Sequence, residues 1–179
     1  MVSECAKETT TQHYLGAGNG LGPVRSDEVV LFAVFENVPH DGGRLTPLAF
    51  QSKQLRRGEV SLARLAHTTR AIFDERVIQA LEHRFGKCLG ITRANVAALR
   101  AIQFEVSGAI PTIRGRAVCV LDKVGQEDYD GHAALEYSET EEGLTQKQKE
   151  RYRPLIHAEL ADTFGEILSL DRGFGGPVV

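Results

Sequence analysis

Seven consecutive apolar residues, Val29-Val30-Leu31-Phe32-Ala33-Val34-Phe35, lie between Glu28 and Glu36. A run this rich in β-branched and aromatic side chains, with no polar alternation, reads as a strand buried on both faces. It stops at Asn37-Val38-Pro39-His40-Asp41-Gly42-Gly43, where Pro, Asp-Gly and Gly-Gly demand a turn. Such a strand needs a sheet with other elements packed on it. At 179 residues, 42% hydrophobic and 25% charged, the chain has enough apolar material for one core and too little length for two. No run nears the ~18 apolar residues that span a bilayer, so no membrane role is expected. The first residues also lack the basic flank and apolar stretch of a secretory signal. Cys5, Cys88 and Cys119 are widely spaced and match neither a disulfide scaffold nor a zinc module. The expectation is a cytoplasmic protein with no metal and no cofactor.

The predicted fold is α+β: a single domain with a small mixed or antiparallel sheet, about three packed helices and flexible termini. Residues 1–26, glycine-rich and poor in apolar side chains, read as a tail; 27–170 form the domain, and 171–179 fray. Thr46 to Phe50 reads as a short edge piece because of Pro47, and Val60 to Leu65 as a strand. Phe73, Val77, Leu81 and Phe85 line one side of a helix that Gly86 ends. A second helix starts at Thr92 as N-cap, with Val96, Leu99 and Ile102 on one side. Phe104 to Ile113 is extended on either side of Pro111. Residues 116–122 and 132–137 make a hairpin around a long loop. Thr145-Gln146-Lys147-Gln148 is a capping box opening a helix that carries Tyr152, Ile156, Leu160, Phe164 and Leu168 every four residues.

Chemistry-bearing residues are scattered. No two histidines have metal-ligand spacing, and Cys119 in an apolar strand reads as a core residue. Cys88, next to Lys87, is the cysteine that a basic neighbour could activate. His132 opens a strand beside the acidic loop Glu127-Asp128-Tyr129-Asp130. If the hairpin closes symmetrically, Asp122 lies opposite it and orients the ring, as a structural pair or a catalytic one. His40 and Asp41, on a glycine-rich turn with Arg44, offer an acid/base group and a carboxylate, or simply a tight turn.

Charge is segregated. From Lys53 to Arg116 there are 12 basic and 5 acidic residues; from Ala117 to Glu142 there are 1 basic and 8 acidic. Arg56, Arg57, Arg64, Arg70 and Arg93 could meet phosphates, or the acidic segment could neutralise them within the fold. The leading expectation is a non-enzymatic protein-interaction or accessory module with a protein partner. The alternative is a small hydrolase or transferase using His132 with the His40-Asp41 loop, and the third reading is a nucleic-acid binder through residues 53–116.

Overall fold

The computed structural model describes residues 5–10, 21–51, 60–106, 113–123 and 131–175. In chain order the elements are α1 (Ala6–Thr10), β1 (Val29–Phe35), β2 (His40–Asp41), β3 (Arg44–Leu45), α2 (Leu48–Gln51), β4 (Val60–Arg64), α3 (70–85), β5 (Cys88–Asn95), α4 (Val96–Ala101), β6 (Gln103–Val106), β7 (Ile113–Arg116), β8 (Val118–Asp122), β9 (His132–Tyr137), α5 (Glu139–Glu142), α6 (Gln146–Phe164) and α7 (Leu170–Gly175). Five strands form one antiparallel sheet in the order β5-β1-β4-β9-β8, and β2-β3 and β6-β7 are separate two-stranded ladders. The single α+β domain predicted from the pattern is what forms, with α3 and α6 as its long helices.

β1 is buried along its length except at Val29, as its unbroken apolar run requires. Alternation sends Val30, Phe32 and Val34 to one face of the sheet and Leu31, Ala33 and Phe35 to the other. The first face lies under α6, whose stripe Tyr152, Ile156, Leu160 and Phe164 is buried. Phe32, Phe50 of α2 and Phe164 meet there with ring centroids 5.7–6.0 Å apart. On the second face, α3 packs Phe73 and Ile78 over β1 and β5, joined by Phe174 of α7, which meets Phe73 edge-on at 5.4 Å. The middle of α3, Asp74–Gln79, is π-helical. α1 lies on the same side of the sheet, against β8.

The capping box at Thr145 forms in both directions: the Thr145 amide donates to Gln148 Oε1 at 2.8 Å, and Thr145 Oγ1 accepts from the Gln148 amide. The helix stops at Gly165 (φ 66°), short of Leu168, because Leu168 turns away to bridge Ile91 on the outer edge of β5. That bridge also explains Gly90, where a Cβ would collide with the Leu168 carbonyl.

Local readings shift in three places. Thr46 to Phe50 is the entry to α2 rather than an edge strand, since Pro47 suits a first helical turn that needs no amide donor there. Thr92 does not cap a helix; it is a buried residue of β5 opposite Phe32, and Asn95 caps α4 through the Ala97 amide at 2.8 Å. The strand β5 hid in sequence behind Gly90 and Arg93. Residues 6–10 and 171–175, assigned by composition to the tails, are helical, and Cys5 is buried.

Leu160 has no exposed surface, whereas Leu155 on the same helix is 61% exposed. Leu160→Ala should cost about 2–5 kcal/mol in urea-induced unfolding, and Leu155→Ala less than about 0.5 kcal/mol. Equal losses would contradict the docking of α6.

Candidate functional site

β4 is the central strand of the sheet, and its sequence Val60-Ser61-Leu62-Ala63-Arg64 alternates between the two faces. Val60 and Leu62 enter the core under α6. Ser61 and Ala63 face the other way, Ala63 buried with the α3 residues Phe73 and Ile78. Ser61 is solvent-exposed, which is unusual for a central strand, because α3 covers only the β5-β1 side. Ser61 is paired with Ala134 and Ala63 with His132, so Ser61 and His132 are diagonal neighbours on one face. Their side chains meet: Ser61 Oγ and His132 Nε2 are 2.7 Å apart.

The His132 backbone is held on both sides. Its carbonyl accepts the Lys123 amide at 3.1 Å, and the preceding Gly131 carbonyl accepts the Arg64 amide at 2.7 Å. Gly131 also has to be glycine, because a Cβ would strike Thr68 Oγ1. The imidazole is 6% exposed. Ser61 therefore presents a hydroxyl to solvent while a buried, fixed ring nitrogen stands behind it.

Beside this pair is an apolar cleft of about 70 Å³. Its floor is Leu31, Ala33, Phe35 and Ala63, its roof Phe73, Val77, Leu81 and Phe85 of α3, and Ser61 is its polar lining residue. For comparison, a ~150 Å³ apolar cavity holds benzene. This one suits a smaller apolar group. π-Helical stretches recur at functional sites, and α3 contributes Val77 to the roof from its π-helical stretch.

The residues singled out by sequence fall in different places. Asp122 is paired with Ala133, one residue away from symmetric closure, so it projects to the opposite face from His132. There it lies 3.5 Å from Arg64 Nη1. His40 and Asp41 form the exposed β2-β3 hairpin, whose Gly42 and Gly43 both have positive φ. That hairpin follows the far end of β1 and is tied to the segment after α6 through Gly43 and Ile167. The fold therefore does not bring His40 and Asp41 to His132.

Arg64 is not a phosphate contact either. It is 1% exposed, with Nε and Nη2 each 2.7 Å from the Glu28 carboxylate and Nη1 donating to the Gly22 carbonyl at 3.1 Å. Burial pushes the Glu28 carboxyl up, but the Arg64 and Arg25 hydrogen bonds outweigh it and hold the group below the usual carboxylate range. Arg70 binds Asp74 and Asp171, both at 2.8 Å. Arg93 is half-buried on β5, and Arg56 and Arg57 lie outside the described residues. Of the basic segment, Arg64 is neutralised in part by Asp122 of the acidic one.

The cysteine reading needs correction: Cys5 and Cys119 form a disulfide across 114 residues of sequence, leaving Cys88 as the free thiol. Spacing could not reveal this pair, because a long loop leaves no local signature. Among the described residues, one group of possible metal-ligating atoms exists, Cys5, Cys119 and Glu139, but the sulfur–sulfur bond occupies both thiols. Burial pushes the Cys88 thiol up, and Glu82 and Asp74 add to this, which disfavours a reactive thiolate.

A second histidine pair, also unpredicted, lies under α6. Tyr137 Oη and His157 Nε2 are 2.6 Å apart, both residues buried. Burial, with the Arg153 charge assisting, pushes the His157 pKa down to about 4. An unfolded histidine titrates near ~6.5. As pH falls from about 6.5 toward 4, the unfolded chain gains a proton that the folded one refuses, so stability falls. His157→Gln, which keeps a hydrogen-bonding group for Tyr137, should flatten the plot of urea midpoint against pH in that window. An unchanged slope would contradict a neutral buried His157.

Compared with known proteins, the chain matches no family, no curated protein and no solved structure.

Proposed function

We propose that this chain is a small hydrolase or acyl transferase in which Ser61 is the nucleophile and His132 its base. The observation that carries this reading is the exposed Ser61 hydroxyl 2.7 Å from the buried His132 Nε2, at the mouth of an apolar cleft. Serine is a weak nucleophile unless a neighbouring base takes its proton as it attacks. With the ring proton on Nδ1, Nε2 accepts the Ser61 proton, and the hydroxyl oxygen bonds to an acyl carbon seated over the cleft as the bond from that carbon to its leaving group breaks. His132 then returns the proton to the leaving group. The apolar walls between β1 and α3 would hold a short acyl group and keep water off it.

The reading keeps His132 from the sequence expectation and replaces the His40-Asp41 loop with Ser61. A fluorophosphonate probe tests it directly. The wild-type chain should gain one adduct, mapped by peptide mass to Ser61. Ser61→Ala should gain none, and His132→Gln should label about 10²–10⁴-fold more slowly with its circular dichroism spectrum unchanged. An unlabelled wild type would overturn the assignment.

A protein-interaction role has its own supporting observation: Leu48 of α2 and Leu155 of α6 are 55% and 61% exposed. If a protein partner covers them, Leu155→Arg should abolish co-purification without lowering the melting temperature. The cytoplasmic setting expected from unpaired cysteines loses its premise with the Cys5–Cys119 bond, since structural disulfides persist mainly in oxidising compartments.

A further inference from the structure

We propose that the Cys5–Cys119 bond is a thiol-responsive latch that holds residues 5–10 against the outer edge of β8 and releases them on reduction. β8 ends the sheet, and an edge strand exposes unpaired backbone groups unless something covers them. The cover here is α1. Glu8 Oε1 accepts the Val120 amide at 2.9 Å, and the same carboxylate pairs with Arg116 at 2.8 Å and Arg100 at 2.9 Å. Lys7 Nζ donates to the Tyr137 carbonyl at 2.9 Å, and the Lys7 amide donates to Glu139.

α1 has only five residues, too few to stay helical alone. Its polar contacts compete with water, so the covalent bond is what makes its position persistent. Both sulfurs are buried, Cys5 at 2% and Cys119 at 0% exposure, so a reductant reaches them only when α1 lifts. The chemistry is exchange with a small dithiol. Its thiolate attacks Cys5 Sγ, the sulfur–sulfur bond breaks, and Cys119 leaves as a thiolate and takes up a proton. The second thiol then displaces Cys5 and closes the reductant's own disulfide, so two electrons pass to the protein and two protein thiols appear.

Release would uncover more than the β8 edge. Lys7 lies 3.6 Å from Glu136, which shares its face of the sheet with His132, so α1 covers that face over β8 and β9. The latch stands whether or not Ser61 is a nucleophile.

The test uses the full chain. Under denaturing, non-reducing conditions iodoacetamide should modify Cys88 alone, and all three cysteines after dithiothreitol. In the native protein, dithiothreitol should speed hydrogen exchange at residues 6–10 and at the Val120 amide by about tenfold or more. β1 and α6 should stay protected. Cys5→Ala, which leaves β8 untouched, should show the fast exchange without reductant and no further response to it. Three free thiols in the purified protein, or Val120 protection indifferent to reduction, would overturn the proposal.

Discussion

A guanidinium that is 1% exposed cannot remain charged without matched acceptors, and Arg64 has them in Glu28, Asp122 and the Gly22 carbonyl. These partners come from the segment before β1, the end of β8 and the chain leading into the domain. One side chain thus pins one corner of the sheet and fixes which residues of β1 and β4 lie side by side. A slip of a single residue would exchange the faces. Ser61 would then enter the core under α6, and Leu62 would stand in the cleft.

The two faces of the sheet are covered differently, and the cleft follows from the difference. α6 runs nineteen residues and fills its face with one continuous stripe. The other face is shared by α3 at one side and five residues of α1 at the other. The strip between them leaves a hydroxyl exposed on a central strand, with a histidine fixed behind it by backbone hydrogen bonds from two strands.

Periodic features were legible in sequence because they are local. The apolar run of β1, the four-residue stripes of α3 and α6 and the Thr145 capping box each declare themselves within a few turns of chain. β5 was hidden because Gly90 answers to the Leu168 carbonyl approaching from outside, and its strand pattern breaks there. Of the candidate site, His132 was legible as a histidine at a strand start. Ser61 was not, since one serine in a short alternating strand carries no mark of what crosses its face. The Asp122 expectation failed by one residue of register, since Asp122 pairs with Ala133 and a single step moves a side chain to the other face. Arg64 and Arg70 counted as surface charge in sequence because the carboxylates that claim them include partners 36 and 101 residues away.

The strand order also governs assembly. β1, β4 and β5 all come from residues 29–95, and β8 and β9 form a hairpin within 118–137. The two groups join along one seam, between β4 and β9, across more than sixty residues of intervening chain. Until that seam closes, β4 is an unprotected border rather than the middle of the sheet, and contacts so distant in sequence close slowly. During synthesis the ribosome releases β4 well before β9 exists. A nascent chain therefore carries its future central strand as an open, adhesive margin, and crowding among unfinished copies is the hazard built into this topology.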